Sequence, residues 1–283
     1  VTDPAWVALS LVKHLGGKTF RNLLIHFNHD LHAILHADET ELTAVPSIGK
    51  KIAQAITHIN LDDISRAIDY WDEQGITLLT WDDPQFPANL RALDDAPLTL
   101  FVCGDLPRFD RAAAVVGTRN ATEESRQITQ QIASSLAEQG YVIVSGLAEG
   151  IDTAAHMAAL SVPEGVTVAV LGSGLMNLYP PSNRGLAQGI MQRGAFFCEV
   201  SPQAGVSAPG LVARNRLITG LCEAVIIVQT ETDGGAMHAA RFARMQGKRL
   251  YTVDLPATGN QALIADGIPV LDPDDIALVQ SDY

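Results

Sequence analysis

From Arg111 onward the chain alternates short apolar runs with helix-length segments, and no other feature narrows its possible folds as sharply. Residues 112–116, 141–144, 166–171, 195–198, 224–228 and 250–253 are almost wholly apolar or β-branched, as expected of strands covered on both faces. The segments between them predict helices over 122–138, from about 152 to 160, through 186 to 192, around 211–219, and over 236–246. Strand and helix in strict alternation give a doubly wound parallel sheet, because each crossover must return the chain to the same edge. The tail, 261–279, predicts a short helix, an edge strand at 269–271 and a last helical turn.

Four of these strands run into turns built from small residues. The run 141–144 meets Ser145-Gly146, and Asp152 or Thr153 is placed to cap the helix that follows. Residues 115–116 lead into Gly117-Thr118-Arg119-Asn120, 168–171 into Gly172-Ser173-Gly174, and 225–228 into Thr232-Asp233-Gly234-Gly235. A glycine turn before a helix brings backbone N–H groups and the positive end of the helix dipole to one place, which suits an anion. It can equally well do no more than close a tight strand-to-helix connection. In a parallel sheet the carboxyl ends of the strands lie along one edge, so four such turns are expected to converge on one crevice. Four together, with arginines interspersed, favour the anion site.

The charge distribution sets what kind of anion. The net charge is −13, with 8 basic against 16 acidic residues up to Asp110 and 11 against 16 afterwards. Indiscriminate attraction to polyanions is therefore excluded. Yet ten of the eleven later basic residues are arginine, the side chain whose fork matches phosphate. Arg214-Asn215-Arg216 and Asn183-Arg184 join Arg119 as a candidate phosphate clamp, against the alternative of local ion pairs and capping.

Residues 1–75 predict a small helical domain with helix-hairpin-helix-like turns, and 76–283 the sheet domain, including a turn-rich connector over about 76–108. The turn Val45-Pro46-Ser47-Ile48-Gly49-Lys50-Lys51 resembles the hairpin of a helix-hairpin-helix module, making Lys50 and Lys51 further candidates for DNA contact; Leu15-Gly16-Gly17-Lys18-Thr19 is a looser match. His26, His29, His32 and His36 lie close together, but no Cys or second ligand group accompanies them, and no metal site is expected. Cys103, Cys198 and Cys222 are far apart and odd in number, so reduced core thiols of a cytoplasmic protein are expected. The acidic start lacks a basic leader, and no apolar run is long enough to span a membrane.

The sheet domain has no G-x-G-x-x-G with its trailing acid, no P-loop lysine and no G-x-S-x-G, so ordinary dinucleotide binding, nucleotide triphosphate hydrolysis and α/β-hydrolase chemistry are not indicated. His156 and His238 each follow a glycine turn, and helix packing is their expected role, with acid–base work the alternative. The segments VVGTRNAT, VSGLAEGIDTAAH, LGSGLMNLYPPSNRGLA, ARNRLITGLCEAVIIVQ, GGAMHAARFARMQGKRLYTV and GNQALIADGIPVL, in this order, resemble the DNA-processing protein A family (DprA, also called Smf). The resemblance implies a sterile-alpha-motif-like helical domain before an extended Rossmann-like domain. It further implies a cytoplasmic, homodimeric, non-enzymatic protein without cofactor, which binds and protects incoming single-stranded DNA and loads RecA recombinase during natural transformation. Many family members continue into a winged-helix-like domain beyond the last motif matched here.

Carried onto this chain, the site comprises Gly117, Thr118, Arg119, Asn120, Ser145, Gly146, Gly172, Ser173, Gly174, Asn183, Arg184, Arg214, Asn215, Arg216, Gly234 and Gly235. The alternative is a nucleotide-binding sensor or nucleotide hydrolase of the wider superfamily containing the cytokinin-activating phosphoribohydrolases. That family's PGGxGT motif and catalytic glutamate are only partly matched, since Asp233-Gly234-Gly235-Ala236-Met237-His238 lacks the Pro, Thr and Glu. Few aromatic residues lie near the turns; Tyr179 and Phe242 are the ones placed to stack on a base.

Overall fold

The computed structural model describes residues 2–276 and Leu278. It divides into two compact units, one holding the chain up to Val102 with Glu199–Ser201, the other Cys103–Cys198 with the rest.

In the first unit six helices, α1 (Pro4–Ser10), α2 (Gly17–His26), α3 (Leu31–His36), α4 (Glu39–Thr43), α5 (Lys50–Thr57) and α6 (Leu61–Glu73), precede strand β1 (Thr77–Thr80). Helix α7 (Ala88–Arg91) and strand β2 (Thr99–Gly104) follow. The acidic character of this half has a local use. Asp3, Asp30 and Asp38 accept backbone N–H groups at the starts of α1, α3 and α4, as Asn60 does for α6, so polar side chains satisfy donors that helix geometry leaves unpaired. Trp6, Leu9, Phe20, Leu23, Ile34, Leu42 and Ile56 form the core, where Trp6 stacks edge-to-face on Phe20 at 4.8 Å and on Trp81 at 5.5 Å. β1 and β2 pair antiparallel, Thr77 opposite Val102.

The second unit carries β3 (Ala112–Val116), α8 (Glu123–Glu138), β4 (Val142–Ser145), α9 (Ile151–Ser161), β5 (Thr167–Val170), α10 (Arg184–Arg193) and β6 (Gly194–Cys198). These are followed by α11 (Ala208–Ala213), α12 (Asn215–Leu221), β7 (Ala224–Ile227), α13 (Ala236–Met245), β8 (Arg249–Thr252) and α14 (Thr258–Ala265). Its six strands lie in the order β6-β5-β4-β3-β7-β8 and every neighbouring pair is parallel, the doubly wound Rossmann-like arrangement. All residues of β3, β4, β5, β6 and β7 are buried, which is why these strands read as continuous apolar runs instead of alternating ones.

Three expectations are corrected. The helix around 211–219 is two helices meeting at Arg214. The edge strand at 269–271 is a single bridge from Val270 to Thr252. Residues 273–275 form turns, not a helix, and Val279 lies outside the described residues.

Asn260 on α14 ties the carboxyl ends of β7 and β8 together. Its fully buried side chain accepts from Thr230 N at 2.9 Å and donates to Val228 O at 2.8 Å and Val253 O at 3.0 Å. Asn260→Ala leaves these backbone groups unpaired and is expected to cost about 2–3 kcal/mol; urea unfolding checks it, and a loss within 0.5 kcal/mol contradicts it.

Candidate phosphate-binding crevice

The chain steps from β3 through β4 and β5 to β6 on one side of the sheet, then returns to place β7 and β8 on the other side of β3. Connections leaving β3 and β7 therefore part in opposite directions, which opens a crevice at the carboxyl edge. It encloses about 430 Å³ and is lined by Gly117, Thr118 and Arg119 after β3, Ala148 and Asp152 after β4, Leu211, Arg214 and Asn215, and Gly235 at the start of α13. A second hollow of about 320 Å³ shares Arg119, Ala148, Leu211 and Arg214 with it and is walled by Gly146, Glu149 and residues 179–182.

The turn after β4 is organised around a buried ion pair. Asp152 does not cap α9, whose N-cap is Gly150 at φ 79° with no side-chain bond. Its carboxylate instead accepts from Gly146 N at 3.1 Å and Ala148 N at 3.3 Å and lies 3.6 Å from Arg214 Nη2. The amides that glycine-turn geometry offers to a ligand are thus satisfied by the protein's own carboxylate. Burial pushes the Asp152 carboxyl up from its ordinary range, against the pull of Arg214 and the two amides. Arg214 donates through Nη1 to Gly146 O and to Val170 O, the latter at 2.8 Å. A Cβ at Gly146 would overlap this guanidinium, so the glycine there makes room for the arginine. The Nε of Arg214 is buried without a partner, while the residue itself lines both hollows.

Arg119 has the opposite character. It is exposed, lines both hollows, and makes no hydrogen bond or ion pair among the described residues. Its charge lies close enough to depress the basicity of Arg214, after burial itself. The N-terminus of α13, which has no side-chain cap, opens on the same crevice at Gly235, so the helix dipole adds to the two guanidinium groups. Two carboxylates work against them: Asp152, paired with Arg214, and exposed Glu149, which is held by Ser182 Oγ at 2.8 Å and stands in the wall of the second hollow with Arg119.

Several residues expected at the site do other work. Ser145 is fully buried and donates to Val115 O at 2.7 Å. Asn183 is buried and donates to Leu147 O at 2.8 Å and Thr153 Oγ1 at 2.9 Å, fastening the β4 turn from outside. The turn Gly172-Ser173-Gly174 does not line the crevice. Gly172 packs against the backbone of Gly210 and Leu211, Ser173 donates to Asn177 O, and Gly174 N donates to Ala204 O. Gly234 abuts Thr230.

Asn120 is exposed but outside the crevice lining, as is half-buried Arg216 on α12. Arg184 is exposed and lines a neighbouring pocket. Lys50 and Lys51 are exposed at the start of α5 in the helical unit. The clamp thus contracts to Arg119 with Arg214 behind it. Sequence reasoning missed Leu211, which lies in no quoted motif, and did not single out Ala148 and Glu149 within VSGLAEGIDTAAH.

His156 is a core residue. Thr167 Oγ1 donates to Ile143 O, so His156 Nδ1 must donate to that hydroxyl, at 2.7 Å, and Nε2 remains a buried lone pair without a partner. Burial, followed by the charge of Arg214, lowers its pKa to about 3. Between about pH 3 and pH 6.5 the unfolded chain therefore takes up a proton that the folded one refuses, and stability falls as pH falls. Relative to His156→Leu, the wild type should lose up to about 1.4 kcal/mol per pH unit across that window. Parallel stability profiles for the two proteins would contradict the assignment.

A parallel α/β sheet whose crevice, with two arginines and a helix N-terminus free of a side-chain cap, lies at the switch point defines a Rossmann-like class of protein. Residues 77–278 match the family described as DNA recombination-mediator protein A, and this chain belongs to that family. Residues 5–67 match a helix-hairpin-helix motif. Protein Smf of Synechocystis is 32% identical over 255 residues, covering 88% of this chain and 63% of that protein. The chain thus spans a little under two thirds of this relative's length. The crystal structure of DNA processing protein A from Streptococcus pneumoniae superposes with a TM-score of 0.82 at 27% identity, covering 96% of this chain and 95% of that one. DNA processing protein A from Helicobacter pylori, whose structure concerns its single-stranded DNA binding mode, gives 0.62 at 31% identity, covering 68% and 89%.

Proposed function

We propose that this protein binds single-stranded DNA along the carboxyl edge of its parallel sheet, shields it, and hands it to RecA recombinase during natural transformation, acting as a cytoplasmic homodimer and not as an enzyme. The observation that carries the DNA-binding part is the unpaired Arg119 in the wall of the crevice, with Arg214 also in that wall, in a chain whose net charge is −13. A free cation on so acidic a molecule points to a focused phosphate contact. The shallow crevice suits a flexible single strand better than a rigid duplex, and Lys50 and Lys51 offer a second contact on the helical unit. The family resemblance supports the RecA and dimer parts, and no helix among the described residues is long and apolar enough to cross a membrane.

The nucleotide-hydrolase alternative has less support, because no glutamate follows Gly234-Gly235 on the first turn of α13. Binding to polythymidine, to a duplex of equal length and to nucleoside monophosphates tests the choice. Preference for the single strand with no release of free base is expected. Base release, or equal affinity for duplex, contradicts the reading.

A further inference from the structure

The helical unit carries a pocket of its own, about 420 Å³, with walls of Trp6, Leu24, Ile25, Leu31 and Trp81. Its aromatic walls are fixed in place. Trp6 and Trp81 meet edge-to-face at 5.5 Å, and each indole N–H donates at 2.7 Å to a backbone carbonyl, of Leu98 and Pro97 respectively. The polar edges of both rings are thereby satisfied, and apolar surface is left for an occupant. Arg21, in the same wall, is also engaged. Its guanidinium lies 4.7 Å from the centre of the Trp81 ring and donates to the carbonyls of Asp94 at 2.8 Å and Leu93 at 3.0 Å.

Three groups of the lining remain open. Ile25 is 68% exposed, and the side chains of exposed Asp82 and His29 make no hydrogen bond or ion pair among the described residues. The chain reaches His29 through two consecutive left-handed residues, Asn28 at φ 52° and His29 at φ 63°, closed by His29 N donating to Leu24 O at 2.6 Å. Residues other than glycine adopt this conformation rarely. Here it turns the chain back so that Ile25, His29 and Leu31 line one pocket. Nucleic acid suits the pocket poorly: Arg21 is engaged with backbone carbonyls, Asp82 is unpaired, and the chain up to Asp110 has 8 basic against 16 acidic residues. An exposed apolar wall beside a free carboxylate is complementary to an apolar side chain with a cation next to it.

We propose that this pocket docks a segment of a basic protein partner, with a bulky apolar side chain of the segment seated against Trp81 and Ile25 and a neighbouring lysine or arginine meeting Asp82. The acidity of this half of the chain selects the sign of the partner, and the fixed rings form the kind of desolvated pocket in which an interface anchor carries most of its energy. The docking site is independent of the strand-binding crevice, so either reading can fail without the other.

A library of random peptides displayed on phage, selected against the full chain at low salt, tests this. Enriched sequences are expected to share a bulky apolar residue close to lysine or arginine. A synthetic peptide of the enriched sequence should bind Ile25→Asp at least about tenfold more weakly than the wild type, the effect of losing one interface anchor. Asp82→Asn should weaken binding and lessen its salt dependence. Both positions are exposed, so neither substitution disturbs the core, and Ile25→Asp should bind polythymidine as the wild type does. No enrichment, enriched sequences without basic residues, or binding indifferent to both substitutions overturns the proposal. So does release of the peptide by polythymidine, which would give the pocket to DNA, or a wild-type dimer that Ile25→Asp dissociates, which would give it to a second copy.

Discussion

Replacing Arg214 with alanine is expected to lower the unfolding free energy by about 3–5 kcal/mol, the scale of breaking a buried ion pair from one side. Asp152 would be left 3% exposed with two amide donors and no cation. The carbonyls of Gly146 and Val170 would lose their shared donor at the same time. Arg214→Lys should recover only part of the loss, since an ammonium cannot span two carbonyls and a carboxylate in the geometry of a planar fork. The Asp152→Ala, Arg214→Ala double variant should be less destabilised than the two single losses added together, because removing both charges relieves the stranded partner. Urea unfolding of the wild type and the four variants measures this, and a loss below about 1 kcal/mol for Arg214→Ala would show that the pair does not organise the turn.

Arg119→Ala is expected to do the reverse, leaving stability within about 0.5 kcal/mol while weakening single-strand binding roughly 10- to 100-fold, as when a hydrogen bond to a charged group is lost. The contrast follows from burial. Arg214 is 7% exposed and spends most of its donors on the protein, whereas exposed Arg119 spends none among the described residues. The loss should be similar for strands of different sequence, because a phosphate contact carries no base information. Glu149 lies in the same wall, so Glu149→Gln should shift affinity the other way. Unchanged binding by Arg119→Ala at low salt would remove the crevice from the proposed function.

The order of elements in the sheet unit was legible because each strand is buried on both faces and leaves an uninterrupted apolar run, as in Ala112–Val116, where expected and observed bounds coincide. The helix expected over 122–138 begins one residue later, at Glu123, because Thr122 is its N-cap, the hydroxyl accepting from Ser125 N. The interior of the site was less legible. Asp152 and Arg214 are far apart in sequence, and nothing near either shows that one will fill the amide turn prepared for a ligand. Gly172 resembled a phosphate-binding glycine although its function is close packing against Gly210, since both uses demand the same missing side chain. Arg214 and Arg216 looked alike, but the break between α11 and α12 falls at Arg214 and sends it inward.

The salt dependence of binding tests the central claim most directly. With polythymidine, the logarithm of the association constant should fall linearly with the logarithm of salt concentration, and Arg119→Ala should flatten the slope by about 0.7, one phosphate contact on a single strand. The same slope for wild type and variant, at whatever affinity, would mean that Arg119 meets no phosphate and that the strand does not cross this edge of the sheet.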